Sequence, residues 1–312
     1  MTDHVLLGRG AEFDRIRALL ARFGSQALGI GDDAAMLQVP EGERLVVSVD
    51  ASVENVHFRT GWLRIEEIAW RALHAALSDL AAMGAAPMGV LLAWCVPPAF
   101  DHALDALADG TTSAARVANV PIVGGNLTRG ATLTLTTTVL GHAARPIRRD
   151  GAAIGDVVYV TGMLGGPGAA LAAWTRGDQP APEARARFAA PRARLTEGQW
   201  LAQHGATAMI DLSDGLLGDA EHLATASRVQ LELDAARVPI MPGVDPVAAR
   251  VSGEEYELLL TAPALDVDAF RQAHALPLTA IGRVVAGGAG PVVVCTDHRG
   301  RVDSPLGHDH FR

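Results

Sequence analysis

The sequence has 312 residues and contains no lysine. All 26 of its basic side chains are arginine. This absence excludes the phosphate-binding P-loop, the strand lysine of protein kinases and Schiff-base chemistry, since each depends on a lysine amine. The 26 arginines are outnumbered by 35 carboxylates, which gives a formal net charge of -9. We therefore expect no broad attraction for nucleic acid or anionic lipid. Small anionic substrates remain compatible with the sequence where metal ions or a few arginines neutralise them.

Aromatic residues and cysteines are also scarce. Aromatic side chains make up 4% of the chain, so the cores must be built from alanine, valine and leucine. Cys95 and Cys295 stand in apolar runs without metal-ligand spacing, which is typical of buried thiols in a reducing compartment. The most apolar stretch, 88–96, is too short to span a bilayer, and the first residues show no signal-peptide pattern. We expect a soluble, cytoplasmic protein.

Helical and strand patterns are mixed throughout the chain, which predicts two α/β or α+β domains. A polar connector at 145–156 suggests domains at 1–148 and 149–312. Helices are predicted over 12–23, 63–83, 100–118 and 216–226, a polar loop over 176–183, and strands over 44–50, 132–140, 157–161, 207–210, 229–233, 256–261, 278–284 and 291–296.

Several aspartates lie inside or at the ends of apolar segments, where solvated carboxylates are not usually found. They are Asp32, Asp33, Asp50, Asp79, Asp211 and Asp214. Asp79 falls within the apolar stripe of the helix predicted at 63–83, with Arg71, His74 and Ser78 on the other face. An ionised carboxylate there is costly unless it is paired, hydrogen-bonded or bound to a cation.

Two explanations for these aspartates remain open. A single buried aspartate is commonly paired with an arginine or caps a helix. Several that converge call for positive charge, and hard divalent cations with oxygen ligands are the usual answer. The sequence has no Cys/His cluster typical of zinc and no calcium-binding loop. Mg²⁺ is therefore the favoured ion.

Two turns between a strand and a helix are candidate phosphate sites. Segment 211–216 places acidic and hydroxyl groups at a helix N-terminus, whose backbone N–H groups attract phosphate. Capping of that helix by Ser213 or Asp214 is the alternative. The glycine-rich turn 162–168 also leads from a strand into a helix, and it is either a phosphate cradle or an ordinary glycine turn.

Together, the motifs resemble the thiamine-monophosphate kinase family, which belongs to the superfamily that includes aminoimidazole ribonucleotide synthetase. The matching segments are 29–35 (GIGDDAA), 48–50 (SVD), 56–58 (VHF), 77–84 (LSDLAAMG), 124–130 (GGNLTRG), 211–216 (DLSDGL), 252–258 (SGEEYEL) and 307–311 (GHDHF). They occur in the family's order and extend over almost the whole chain.

The resemblance implies a two-domain fold like that of aminoimidazole ribonucleotide synthetase, with a homodimer formed by the N-terminal domains. It also implies that ATP, as co-substrate, and several Mg²⁺ ions bind in a cleft lined by aspartates. The γ-phosphoryl group of ATP would pass directly to thiamine monophosphate. Such a transfer needs positioning and charge neutralisation more than a protein nucleophile, so metal ions and Arg149 suffice without lysine.

The resemblance also assigns roles to individual residues. Catalytic roles fall to Asp50, Asp211 and Asp214; metal binding to Asp33, Ser48, Asp50, Asp79, Asn126, Asp211 and Asp214; ATP binding to Gly125, Asn126, Arg149 and Ser213; and substrate binding to His57, Glu254 and His308. From the residues alone, His57 is a histidine satisfied by backbone groups, and Arg149 is a solvated surface arginine.

Four positions depart from the family pattern. Asn126 replaces a metal-binding aspartate, Val49 a threonine and His308 an aromatic residue that encloses thiamine, while Ser-Gly-Glu-Glu at 252–255 replaces Gly-Gly-Glu-Asp. These departures bear on the acceptor and on the number of metal ions. Two alternatives follow: a superfamily relative that acts on another small acceptor, and a dimer that binds Mg·ATP without catalysis.

Overall fold

The computed structural model describes residues 10–288, 290, 292–297 and 300–301, with the backbone alone at 11, 12, 300 and 301. The chain divides into two compact units. The first runs to Leu80 and resumes over Ala86–Ala144, and the second comprises Ala81–Ala85 and the described residues from Arg145 on. Both units mix helices and strands, as the sequence predicts. The domain boundary between 148 and 149 stays a prediction.

The first unit carries three α-helices and four strands among its described residues. In chain order they are α1 (Ala11–Phe23), β1 (Arg44–Val53), α2 (Ile65–Ala82, whose last two residues belong to the second unit), β2 (Ala86–Cys95), α3 (Leu104–Val117), β3 (Ile122–Thr128) and β4 (Thr134–Ala143). The strands form one sheet in the order β1-β4-β2-β3, in which β2 and β3 are parallel and the other pairs antiparallel.

The two faces of β1 differ sharply in character. Because side chains alternate along a strand, Ser48 and Asp50 share one face, and Asp50 lies opposite the buried Thr137 of β4. The other face carries Leu45, Val47 and Val49, which are 51%, 52% and 62% exposed. β1 therefore presents polar groups to the interior and a row of apolar side chains to the outside.

Helix α2 is covered on both faces, which the sequence pattern did not predict. Arg71, His74 and Ser78 are all buried, although they lie outside the apolar stripe. One cause is the close approach of α3, where a Cβ atom on Gly110 would lie 2.2 Å from the carbonyl oxygen of Glu66. After α2 the chain turns at Gly84 (φ +63°), a left-handed conformation typical of the glycine that follows a helix.

The second unit is built around a larger mixed sheet. Its elements are β5 (Val157–Thr161), α4 (Gly166–Thr175), α5 (Pro182–Ala189), α6 (Leu195–Gln203), β6 (Ala208–Asp211), α7 (Leu216–Ser227), β7 (Val229–Asp234), α8 (Pro246–Arg250), β8 (Leu258–Ala262), α9 (Val267–His274), β9 (Leu278–Ala286), β10 (Val293–Asp297) and β11 (Gly300–Arg301). The strand order is β11-β10-β7-β9-β5-β8-β6.

The core of the second unit is aliphatic, as the scarcity of aromatic residues predicts. Val158, Ile210, Leu223 and Leu231 are among the buried side chains that pack together there. Burial of such side chains contributes roughly 1.5–3 kcal/mol each. In the part of the chain that the structure describes, no helix is both long and apolar enough to cross a membrane.

Candidate active site

Strand β1 and helix α2 bring three predicted metal ligands onto one side of the first sheet. The hydroxyl group of Ser48 donates a hydrogen bond to Oδ2 of Asp79. Asp50 lies two residues further along the same face of β1, and its Oδ1 accepts the backbone N–H of Ala51 at 2.7 Å. All three side chains are half-buried. Asp79, the carboxylate in the apolar stripe of α2, therefore accepts a hydrogen bond from a hydroxyl group.

His57 lies in the turn that follows β1. Its backbone N–H donates to the carbonyl of Val53 at 2.9 Å, and its Nδ1 accepts the N–H of Val53 at 3.1 Å. Because Nδ1 accepts, the proton of the neutral imidazole is assigned to Nε2. The half-buried ring thus has a fixed orientation, in keeping with the backbone-satisfied histidine expected from the residues alone.

Asp32 and Asp33 lie in the irregular segment between α1 and β1, and both are exposed. The backbone N–H of Asp33 donates to Oδ1 of Asp32 at 2.9 Å. The apolar neighbours in sequence therefore do not bury these two carboxylates. The metal-binding role of Asp33 stays a prediction.

Gly125 and Asn126 lie on β3, at the opposite edge of the sheet from β1. Register places Asp50, Thr137, Leu92 and Gly125 in one row across one face, while Asn126 faces the other side. Three strand spacings separate β1 from β3, or about 14 Å. Within one chain, the side chains of Asn126 and Asp50 therefore point to opposite faces of the sheet.

The β3 segment also lines a pocket within the first unit. Gly125 and Asn126 form part of one wall, Trp94 of β2 adds to it, and Leu19 and Phe23 of α1 lie opposite. A Cβ atom on Gly125 would lie 2.0 Å from the carbonyl oxygen of Leu92, so strand packing alone requires glycine there. The pocket is mainly apolar, with the exposed amide of Asn126 at its polar side.

In the second unit, Asp211, Ser213 and Asp214 follow β6, as predicted. Asp211 is 4% exposed, Asp214 is half-buried and Ser213 is exposed. The alternative of capping by Ser213 or Asp214 does not hold for α7, because Gly215 occupies the N-cap position and no side chain caps from there. Instead Oδ2 of Asp219, inside the helix, accepts the N–H groups of Asp214 and Gly215 at 3.1 and 3.0 Å.

Asp219 is a functional candidate that the sequence analysis missed. Burial, followed by the charges of Asp211 and Asp214, raises its pKa to about 8. Its position after Leu216 and Leu217 gave the same signal as the other aspartates, a carboxylate in apolar company. The three carboxylates repel one another, and a bound cation would offset that repulsion.

We compared these oxygen donors with the coordination that Mg²⁺ prefers. Among the described residues, no three His, Cys, Asp or Glu side chains are arranged to hold a metal ion. Mg²⁺ commonly uses one or two carboxylates and completes its shell with waters and substrate phosphates. The Ser48–Asp79 pair with Asp50, and separately Asp211 with Asp214, fit that donor chemistry.

The loop that carries Glu254 lies directly against the 211–214 segment. The N–H of Glu254 donates to the carbonyl of Ser213 at 2.8 Å, and the N–H groups of Glu255 and Tyr256 donate to the carbonyl of Leu212 at 3.1 and 2.9 Å. Glu254 and Tyr256 have φ values of +65° and +53°. Left-handed backbone costs a non-glycine residue roughly 1–2 kcal/mol, and such strain concentrates at functional sites.

Of the two alternatives for the glycine-rich turn 162–168, the hydrogen bonds favour a structural turn over a phosphate cradle. The N–H of Gly165 donates to Oε1 of Glu255 at 2.5 Å, and the N–H of Gly168 donates to the hydroxyl oxygen of Ser252 at 2.9 Å. The N–H groups of Gly162 and Leu164 donate to backbone carbonyls. These four amides are therefore already occupied by protein acceptors.

A buried ion-pair network lies beside the glycine-rich turn. Glu257 is fully buried and accepts two hydrogen bonds from Arg194, at 2.8 and 2.5 Å, and one each from Arg187 at 2.8 Å and Thr161 at 2.7 Å. Burial alone would raise the pKa of Glu257, but the two arginines and Thr161 outweigh it and hold the pKa below its ordinary value. Nothing in the sequence pattern predicts this network.

Arg149 and His308 are the remaining predicted site residues. Arg149 is exposed, and its backbone carbonyl accepts the hydroxyl group of Ser227 at 2.7 Å. The neighbouring Arg148 pairs with Asp150 at 2.8 Å. His308 lies outside the described residues.

Comparison with known proteins gives matches along the chain. Residues 31–143 match the model of the AIR synthase related protein, N-terminal domain, and residues 153–295 match that of the C-terminal domain. The chain is 36% identical over 292 residues to a thiamine-monophosphate kinase of Salmonella typhimurium, which covers 88% of each protein.

Solved structures give the same relation. The crystal structure of thiamine-monophosphate kinase from Stenotrophomonas maltophilia superimposes with a TM-score of 0.80 at 37% identity, covering 93% of this chain and 96% of that one. The complex of AaThiL with AMPPCP and TMP gives a TM-score of 0.76 at 28% identity, covering 98% and 100%. The chain therefore belongs to the AIR synthase related proteins and, within them, to the thiamine-monophosphate kinase family.

Proposed function

We propose that this chain is an ATP-dependent phosphotransferase that converts thiamine monophosphate to thiamine diphosphate. The observation that carries the proposal is that the family relation extends over both units at once. One structural relative was solved with AMPPCP and TMP, which supports the choice of a nucleoside triphosphate and TMP as the two substrates.

The reaction itself needs little covalent help from the protein. A phosphate oxygen of thiamine monophosphate forms a bond to the γ-phosphorus of ATP, and the bond from that phosphorus to the β,γ-bridging oxygen breaks, leaving ADP. The attacking oxygen is already anionic near neutral pH, so no general base is required. Catalysis then consists of alignment and of neutralising phosphate charge.

In the first unit, Asp50, Asp79 and Ser48 are proposed to hold Mg²⁺. Bound Mg²⁺ would supply charge neutralisation at the phosphates. The hydroxyl of Ser48 fixes one oxygen of Asp79 and so orients its other oxygen. Gly125 and Asn126 are proposed to contact ATP, and the apolar pocket beside them is suited to a flat heterocyclic base.

In the second unit, Asp211 and Asp214 are proposed to bind Mg²⁺ and to act in catalysis, while Ser213 and Arg149 contact ATP. The exposed hydroxyl of Ser213 and the exposed guanidinium of Arg149 suit polar contacts with a nucleotide. The metal-binding roles of Asp33 and Asn126 complete the proposed set. The number of Mg²⁺ ions stays a prediction.

The acceptor is proposed to contact His57, Glu254 and His308. Thiamine carries a positively charged thiazolium ring, which the carboxylate of Glu254 complements. Tyr256 donates its hydroxyl to Oε2 of Glu254 at 2.5 Å, so that carboxylate has a defined orientation. Nε2 of His57 supplies an N–H donor suited to a phosphate or pyrimidine acceptor.

The proposal includes a homodimer formed by the first unit. The exposed apolar row Leu45, Val47 and Val49 on edge strand β1 supports it, because such a face is typical of interfaces. Val47→Glu should convert dimer to monomer in sedimentation, whereas a monomeric wild type argues against the dimer. The cytoplasmic location stays a prediction.

An assay with purified protein, ATP, Mg²⁺ and thiamine monophosphate tests the function. We expect thiamine diphosphate, detected by chromatography, and its loss in Asp50→Ala and Asp214→Ala. Mg·ATP binding without turnover would instead favour a relative with another acceptor or a dimer without catalysis.

A further inference from the structure

Two loops of the second unit are joined by one serine and one glutamate. The hydroxyl oxygen of Ser252 accepts the N–H of Gly168 at 2.9 Å and donates its own proton to Oε1 of Glu255 at 2.8 Å. The same carboxylate oxygen accepts the N–H of Gly165 at 2.5 Å. Ser252 and Glu255 are 5% and 3% exposed. Two polar side chains thus bind both the middle and the end of the glycine-rich turn.

The fit between the loops leaves no space for larger side chains. A Cβ atom on Gly168 would lie 2.6 Å from the hydroxyl oxygen of Ser252. A Cβ atom on Gly165, where φ is +100°, would lie 2.8 Å from that of Ala249. On the other side, Arg187 lies 3.8 Å from Oε2 of Glu255. The carboxylate is therefore held by fixed donors at Oε1, while its buried Oε2 has only the charge of Arg187 nearby.

These contacts flank Glu254 on both sides in the sequence. Ser252 precedes it by two residues and Glu255 follows it directly, while its own N–H is held by Ser213 at 2.8 Å. Left-handed backbone at a non-glycine residue persists only where the surroundings fix it. The contacts made by Ser252 and Glu255 add to the backbone hydrogen bonds that residues 254–256 donate to 212 and 213, and together they supply that constraint.

We propose that Ser252 and Glu255 are positioning residues, which anchor the Glu254 loop to the glycine-rich turn and so hold Glu254 in place for the acceptor. This inference rests on the proposed function, because it takes Glu254 to contact thiamine monophosphate. Both side chains are buried, so the inference assigns neither of them a contact with the substrate. Their effect should therefore fall on binding of the acceptor and not on binding of ATP.

Hydrogen exchange and steady-state kinetics of four variants test the inference. In Ser252→Ala and Glu255→Ala we expect backbone amides at 164–168 and 252–257 to exchange about ten-fold faster or more. The KM for thiamine monophosphate should rise about five-fold or more, with the KM for ATP changed by less than about two-fold. Glu255→Gln keeps an acceptor oxygen at Oε1, so exchange of the two loops should be no faster than in the wild type and both KM values should stay near those of the wild type.

Thr207→Val is the matched control. It removes a hydroxyl that binds buried Asp156 at 2.6 Å, next to the opposite end of β6 from Asp211. It should lower stability without altering exchange of the two loops or either KM. Ser252→Ala removes one oxygen atom only, so it keeps the inference testable if Glu255→Ala does not fold.

Unchanged exchange in Ser252→Ala would overturn the inference, and so would faster exchange with an unchanged KM for thiamine monophosphate. A wild type that forms no thiamine diphosphate contradicts the proposed function instead. In that case the exchange rates alone decide whether Ser252 and Glu255 hold the loop.

Discussion

The hydroxyl group of Ser48 on β1 donates a hydrogen bond to the carboxylate of Asp79 on α2. This contact explains how a helix can carry an aspartate within its apolar stripe. It also holds the carboxylate on the face of the first sheet that carries Asp50. A contact between two motifs 31 residues apart thus serves both packing and the proposed metal site.

Ser48→Ala should weaken both functions. A hydrogen bond to a charged group contributes about 1.5–3 kcal/mol, so urea denaturation should show a loss of that order. The Mg²⁺ concentration for half-maximal activity should rise about ten-fold, equivalent to about 1.4 kcal/mol. Ser113→Ala, at an exposed position of α3, is the control and should change neither value. Superimposable unfolding curves for Ser48→Ala and wild type would contradict this account.

Arg194→Gln should strongly destabilise the second unit. The change removes the bidentate partner of fully buried Glu257 and leaves its charge poorly compensated. Breaking one side of a buried ion pair costs about 3–5 kcal/mol. Arg176→Gln breaks an exposed pair with Asp178 and should cost less than about 1 kcal/mol. Equal denaturation midpoints for the two variants would show that the network does not have this role.

Glu255 should make stability depend on pH. Burial raises its pKa to about 7, although the N–H of Gly165, the hydroxyl of Ser252 and the charge of Arg187 oppose that rise, while the charge of Glu257 adds to it. The folded chain then binds the proton more tightly than the unfolded chain. The stability that protonated Glu255 contributes is complete below about pH 4.5 and is lost as the pH rises through about 7.

Glu255→Gln should remove that component, which amounts to no more than about 3.5 kcal/mol. The measurement is the difference in unfolding free energy between variant and wild type at several pH values. As the pH rises from about 4.5 to 7.5, the variant should become more stable relative to the wild type. Parallel curves for the two proteins would mean that Glu255 titrates at its ordinary pKa.

Asn126→Asp tests whether the missing carboxylate limits metal binding. We expect a lower Mg²⁺ concentration for half-maximal activity, because an exposed carboxylate on β3 attracts the cation. Gln272→Glu adds the same charge at an exposed position of α9 and should have no effect. An unchanged Mg²⁺ dependence in Asn126→Asp would show that the amide is not a weakened metal ligand.

Local patterns in the sequence predicted much of this fold. The periodicity at 63–83 corresponds to α2, and β-branched runs correspond to β1, β5 and β7. Helix α5 was not predicted: the polar loop predicted over 176–183 includes only its first two residues, and no element was assigned to the rest. Phe188 of α5 packs edge-on against Trp174 of α4, with ring centroids 5.3 Å apart. Local periodicity in the sequence does not reveal a tertiary contact of this kind.

The site could be predicted only in part, because the partners of its residues are distant in the sequence. Apolar neighbours singled out Asp79 and Asp211, and the same signal was present at Asp219 and Glu257. The partners of those residues could not be read from spacing, since Arg194 and Thr161 lie 63 and 96 residues from Glu257. The face on which Asn126 lies follows from strand register, which a single strand does not reveal.

Transfer of a labelled phosphoryl group tests the central claim most directly. ATP carrying phosphorus-32 in its γ-phosphate is incubated with the purified chain, Mg²⁺ and thiamine monophosphate, and the products are separated. We predict that the label appears in thiamine diphosphate, in amounts equal to the ADP formed. Label that remains in ATP, or that appears only as inorganic phosphate, would contradict the account.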